Sequence, residues 1–190
     1  MASNTGGLSL QARATVSLAA YGRMECGGSK DTTLTRNITV GDYSYNYTYA
    51  AKKSLVCNGS TPSVFSLTFN GNSSYTSPKV SSTDATTAQL NVSGLASSDA
   101  QFSLSGTYAR AGKFQSKIGE QKTFDGTLTF ALSDIKLDKL TKQILSGTAT
   151  VKVAVVGPDG SGSKNAVVTF LGAGKATVVV EGEASYNVNI

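Results

Sequence analysis

Apolar and polar residues alternate one by one along most of this chain, the two-residue period of a pleated strand whose successive side chains point to opposite faces. Leu34, Arg36, Ile38 and Val40 share one frame, and Tyr43, Tyr45, Tyr47 and Tyr49 share the next, with Ser44, Asn46 and Thr48 opposite. The same period predicts strands over Val64–Phe69, Ala88–Val92, Phe102–Tyr108, Phe124–Leu132, Ala149–Val156, Val167–Leu171, Ala176–Val180 and Ser185–Ile190. Turn residues stand between them: Asn58-Gly59, Asn70-Gly71, Pro158-Asp159-Gly160, Gly172-Ala173-Gly174 and Glu181-Gly182-Glu183. Such short connections make neighbouring strands antiparallel. Residues 133–144 are ambiguous, because Ile135, Leu137, Leu140 and Ile144 would line one side of a helix. Ile135 and Leu137 also fit a strand frame, and Asp138 to Lys142 suits a reversal, so a hairpin is expected there.

A repeat sharpens the picture in the second half. Leu104-x-Gly106-x-Tyr108, Phe124-x-Gly126-x-Leu128 and Leu145-x-Gly147-x-Ala149 recur at offsets of 20 and 21 residues, with Gly174-x-Ala176-x-Val178 as a looser fourth copy. Glycine occupies the apolar frame of each, where a missing side chain makes room for a bulky neighbour or lets a strand coil sharply. The fold class expected is all-β, an antiparallel hairpin meander forming a β-sandwich or an open or closed β-barrel. Residues 1–12 are expected to be a flexible segment or linker, and residues 13–190 a single all-β domain with the glycine repeat inside residues 100–180.

Composition narrows the chemistry. The 190 residues hold no histidine and no tryptophan, 17 basic against 12 acidic side chains, and 25 serines with 22 threonines. Without imidazole, Ser-His and Cys-His nucleophile pairs and histidine-ligated metal sites are excluded. No apolar run approaches the length of a membrane-spanning helix. Cys26 and Cys57 form an even pair beside Gly27-Gly28 and Asn58-Gly59. Bridged, they would close a loop worth about 3.7 kcal/mol of chain entropy; two unrelated buried thiols are the alternative. The opening Met1-Ala2-Ser3-Asn4-Thr5-Gly6-Gly7 reads as what remains once a signal segment has been removed. Five N-x-S/T sequons, at Asn37, Asn46, Asn58, Asn72 and Asn91, owe much to a chain rich in Asn, Ser and Thr and do not by themselves indicate glycosylation.

Several residues spell out chemistry that their setting denies. Ser161-Gly162-Ser163-Lys164 matches an S-x-x-K acyltransferase motif and nearly a phosphate loop, yet both need a following helix, and these residues continue a turn between strands. Asp134 and Asp138 on one strand face would lie about 13 Å apart, too far for a glycosidase pair. Asp159 with Ser161 and Asn165 is poor provision for calcium. No catalytic, cofactor or metal residues are therefore assigned, and the chain is expected not to be an enzyme.

The run Gly106-Thr107-Tyr108-Ala109-Arg110-Ala111-Gly112, with Gln115-Ser116-Lys117, Phe124, Thr127-Leu128-Thr129-Phe130, Asp138-Lys139 and Ile144-x-Ser146-Gly147-Thr148-Ala149-Thr150-Val151, resembles a group of secreted or lipid-anchored β-rich proteins of Bacteroidota. The likeness spans roughly residues 57–190 and departs from the group at Gly112-Lys113-Phe114-Gln115. It implies a β-rich fold and an extracytoplasmic setting, either secreted, periplasmic or lipid-anchored at the cell surface, and no particular chemistry.

The remaining candidates are binding residues. Four tyrosines in one frame, Tyr43, Tyr45, Tyr47 and Tyr49, either pack inward or present a platform for sugar rings. Tyr108 and Phe114 interleave with Arg110, Lys113 and Lys117 at the start of a basic stretch that continues through Lys122, Lys136, Lys139 and Lys142. That stretch is too dilute for nucleic acid and is either a solvated face or a site for anionic head groups or glycans. The function expected is surface binding or display outside the cytoplasm, with a glycan or a lipid as partner. A lipid or hydrophobic-ligand carrier barrel and a structural or adhesive subunit are the alternatives.

Overall fold

A computed structural model describes residues 24–190, so the segment 1–12 lies outside the described residues. Ten strands follow one another: β1 (Ser29–Val40), β2 (Tyr43–Asn58), β3 (Thr61–Thr76), β4 (Val80–Ser93), β5 (Gln101–Ser116), β6 (Thr123–Asp138), β7 (Ile144–Gly157), β8 (Gly160–Gly172), β9 (Lys175–Val180) and β10 (Ser185–Asn189). Each alternating run of the sequence marks one of them, and 133–144 is the β6–β7 hairpin. All neighbours are antiparallel, in the order β1 through β10 without a crossover. Among the described residues the sheet is single and open, with β1 and β10 as its edges, and no barrel closes. Among the described residues no helix is long and apolar enough to cross a membrane.

The hydrophobic core is gathered at one end of this sheet. Leu55, Phe65, Val92, Phe102, Leu104, Ile135, Leu137, Ile144, Phe170 and Ala176 are all buried, and all lie near the end carrying the 59–60, 94–100, 139–143 and 173–174 turns. These residues share one face, here the inner face. The outer face carries mainly short polar side chains, such as Thr87, Thr107, Thr129 and Thr150. Lys139 and Lys142 cap the core by lying over the Phe102 ring at 5.2 and 4.6 Å, with their ammonium groups donating to the carbonyls of Ala96 and Lys139.

Coiling at that end has a local cause. The register between β5 and β6 slips between Leu104 and Gly106, and that between β6 and β7 slips between Ser133 and Lys136. Both slips insert the same residue, Asp134, whose φ is 50°. Its amide donates to Ser105 Oγ at 3.0 Å, and its carboxylate takes Ser103 Oγ and, at 2.8 Å, Lys136 Nζ. Gly106 and Gly147 flank the bulge with φ of 145° and 123°. A Cβ at Gly106 would stand 2.8 Å from Leu90 Cα, and one at Gly147 would stand 2.6 Å from Ile135 Cα. An extra residue with two side-chain-free neighbours is what bends three adjacent strands together.

The repeat is thus one of spelling more than of role. Gly106 and Gly147 coil the sheet, Gly126 lies in the flatter half with nothing nearer to a Cβ than Ala154 O at 4.0 Å, and Gly174 sits in the β8–β9 turn. Asn70-Gly71 is a further correction. It is not a turn but mid-strand in β3, because Gly71 lies opposite Tyr49, whose ring occupies the space a side chain would need. A glycine covered by a cross-strand aromatic ring is stabilised in a strand it would otherwise weaken.

Edge strand β1 buries no side chain. It is held by its ladder to β2 and by Cys26, whose sulfur lies 2.08 Å from that of Cys57 at the end of β2. Gly27 and Gly28 extend the ladder by exchanging backbone hydrogen bonds with Leu55 at 2.9 and 3.1 Å.

Two outcomes follow from this geometry. Replacing both cysteines by serine should cost up to about 3.7 kcal/mol in denaturant unfolding, and should release β1 first, seen as hydrogen-exchange protection lost at residues 29–40 while β5 to β7 keep theirs. Gly106→Ala and Gly147→Ala should each cost more than about 2 kcal/mol through strain and backbone overlap. Gly126→Ala should be neutral or stabilising by up to about 1 kcal/mol, and equal losses at all three would contradict the bulge account.

Candidate functional site

Beyond the bulge line the inner face is not packed under a second layer, and its side chains form an open cleft instead. From β2, Tyr45, Tyr47 and Tyr49 project on the same side, held one residue apart by the strand period. Their rings follow each other at 5.3 Å and 4.9 Å, and Tyr49 continues onto Phe69 of β3 at 5.1 Å. The Tyr45 and Tyr49 hydroxyls are 3.2 Å apart. That hydrogen bond, then partial burial, pushes the Tyr49 phenol above its ordinary value of 10.0.

The opposite wall comes from β4 and β5. Arg110 Nε donates to Asp84 Oδ1 at 2.9 Å, and its Nη2 reaches Asp84 Oδ2 at 2.8 Å, a two-pronged pair. Asp84 is 15% exposed and Arg110 50%. The carboxylate lies where a side chain of Gly112, its cross-strand neighbour, would be. The hydrogen bond to Asp84 holds the guanidinium even further above neutrality than usual, which leaves its remaining N–H groups as fixed donors toward the cleft.

Together Tyr45, Tyr49, Phe69, Tyr75, Tyr108 and Arg110, with Asp84 and flanking Ser73, Ser82 and Thr86, enclose about 440 Å³. Tyr108 backs onto Phe130 at 6.0 Å, which ties this wall to the core. A second cleft of about 450 Å³ adjoins the first, sharing Ser82, Asp84 and Arg110 and continuing past Phe114, Phe124, Leu128 and Val153.

Of the residues singled out from sequence, Tyr45, Tyr49, Tyr108 and Arg110 meet in the first cleft and Phe114 lines the second. Tyr47 is stacked between its neighbours. Three do not join them. Tyr43 is 56% exposed beside the β1–β2 turn. Lys113 borders the second cleft but belongs in register with the outer face, where it meets Asp125 at 3.6 Å. Lys117 donates to the Ser77 carbonyl at 3.0 Å.

The basic stretch is not one surface either. Lys122 pairs with Glu120 and Asp159, Lys136 with Asp134, and Lys139 and Lys142 serve the core cap. Asp138 is occupied as well, accepting from the Leu140 and Thr141 amides at 3.0 and 2.7 Å, which stabilise its ionised form. Lys164, in strand β8 and not on a helix, pairs with Glu183 at 2.6 Å.

Sequence reasoning missed Asp84, Phe69, Tyr75 and Phe124. Phe69 and Phe124 fall inside predicted strands without being singled out as binding residues. The first half of β4, Val80 to Thr87, shows almost no apolar alternation, so no strand was expected to carry Asp84. An aspartate in such a Ser/Thr run is itself unusual for a strand, and that was the available signal.

No protein family, curated protein or solved structure matches the chain. The likeness carried by residues 106–151 therefore stays an expectation, and the cleft is read from its own geometry.

The phenol pair makes a pH prediction. A raised Tyr49 pKa means that the folded protein holds a proton the unfolded chain releases, so this contribution to stability is complete below pH 10 and is lost as pH rises through the folded value. Ultraviolet titration should show one late-titrating tyrosine, and Tyr45→Phe should return it toward the ordinary range. An unchanged titration curve in that variant would assign the shift to some other cause.

Proposed function

We propose that this domain binds carbohydrate through the aromatic cleft of its inner face and acts outside the cytoplasm without performing a reaction on its ligand. The observation that carries the proposal is the pairing of half-buried tyrosine rings with the Arg110–Asp84 fork in one open cleft of about 440 Å³. Tyrosine faces offer apolar surface to the C–H side of a sugar ring, and their hydroxyls bond at its edge. The fork presents donors and acceptors in one plane, as neighbouring sugar hydroxyls require. A few fixed polar groups on an aromatic wall are the ordinary make-up of a small-ligand site.

The cysteine pair at bonding distance suits an oxidising compartment, and the lipid-anchored setting implied by the Bacteroidota likeness is compatible with surface display. The carrier alternative rests on a closed wall, which an open sheet does not provide. One observation favours the structural subunit as a second reading: among the described residues β1 is an exposed edge of 12 residues with neither proline nor bulge, a template for strand addition. Sizing that grows with concentration would support it.

The chain has no tryptophan, so the emission of its tyrosines, four of which line the cleft, is not masked. Titration with glycans selected from an array should change it. Tyr45→Ala and Arg110→Leu should each weaken binding by about tenfold or more, the value of one ring contact or one hydrogen bond to a charged group. Binding that survives both substitutions unchanged would remove the cleft from the function.

A further inference from the structure

The two clefts are halves of one trench, and its floor is nearly bare backbone. Ser73, Asp84, Gly112 and Gly126 are consecutive partners in register across β3, β4, β5 and β6. Only the Asp84 carboxylate fills space above Gly112, and Gly126 is open above. One bank is the rank Tyr75, Ser82, Phe114 and Phe124; the other is Thr86, Arg110, Leu128 and Val153. Phe124 lies over Gly157, 2.6 Å from where its Cβ would be, which lowers the far bank. Beyond Val155 the next residue of the floor is Gly162, with nothing within 4 Å. At the opposite end only edge strand β1 follows Tyr45. The trench therefore crosses β2 to β7, about 24 Å at a strand spacing of about 4.8 Å, and neither end is walled by a described residue.

Its charge is balanced. Asp84 and Arg110 neutralise each other, and Lys113 at the rim is paired with Asp125 on the outer face. An acidic ligand within the trench would have to compete with Asp84 for Arg110, and the cations beyond its ends are Arg36 on β1, in register with Tyr47, and Lys164 on β8, which pairs with Glu183.

Building on the proposed carbohydrate site, we propose that it takes an internal stretch of a long, neutral, linear glycan, laid across the strands with successive sugars against Tyr45 and Tyr49, the Arg110–Asp84 fork, and Phe114 with Phe124. A trench open at both ends does not recognise a chain terminus. Its length accommodates a sugar at each of these stations, so affinity rises with chain length until the trench is filled.

The test is an array of neutral and of uronate- or sulfate-bearing oligosaccharides from mono- to decasaccharides, followed by titration of the neutral hits at low and high salt. Affinity is expected to rise about tenfold from disaccharide to hexasaccharide, the gain of one further ring contact, then to level off and to change little with salt. Gly126→Leu, which meets no atom nearer than 4.0 Å at its Cβ, should keep its melting temperature while losing the rise in affinity with chain length. Phe114→Ala, at a position already 42% exposed, should flatten the rise in the same way. Absence of binding at every length would overturn the carbohydrate reading itself. Short sugars binding as well as long ones, preference for acidic chains with steep salt dependence, or an intact length effect in both variants would leave that reading standing and overturn this one.

Discussion

The structure depends on a place where two strands have no room for a side chain. At Gly106 and Gly147 the neighbouring backbone comes so close that a Cβ would overlap it, and between them Asp134 is an extra residue seen by both adjoining strands. A sheet forced to coil there folds its inner face onto itself on one side of the line and stays open on the other. Burial of Phe65, Leu104, Ile135 and Leu137 on the coiled side then supplies the stability of a core without a second sheet or a helix. The open side is the consequence, and the cleft is made of what is left uncovered there.

An uncovered β surface must be stabilised within its own layer. Tyr49 lies over Gly71 and Phe124 over Gly157, so rings from one strand replace side chains missing on the next. The Arg110–Asp84 pair fastens β4 to β5 at the level where apolar burial stops. At half exposure it contributes modestly to folding, and its worth lies more in holding two polar groups in one orientation. The same contacts thus make the open half rigid and shape it for a ligand.

The strands were legible because each carries its own alternation. The bulge was legible in part: apolar residues step by two through Leu128, Phe130 and Leu132, then by three to Ile135. That three-residue step is the inserted Asp134, yet locally it is indistinguishable from the first step of a helix. Asn70-Gly71 misled in the opposite direction, since a turn dipeptide says nothing of a ring arriving from Tyr49. Closure was not legible at all. An alternating pattern fixes which side chains share a face, whereas the curvature of that face is set by contacts among Gly106, Asp134 and Gly147, residues more than 25 positions apart from first to second.

The charged residues show why composition was a poor guide to the site. Seven cations between Arg110 and Lys142 look like a basic patch on paper, yet each has its own acidic or carbonyl partner, and they point to different faces and ends of the sheet. Carboxylates neutralise Arg110, Lys113, Lys122 and Lys136, and the three lysines that meet only carbonyls, Lys117, Lys139 and Lys142, form no single charged surface. Recognition on the inner face must then come from short-range contact, from rings, hydroxyls and one locked ion pair. A ligand selected by such contacts is distinguished by its shape and by its pattern of hydroxyls. Arg110 brings a full charge into the trench, and because Asp84 already neutralises it, the guanidinium acts there as a rigid set of donors more than as a charge.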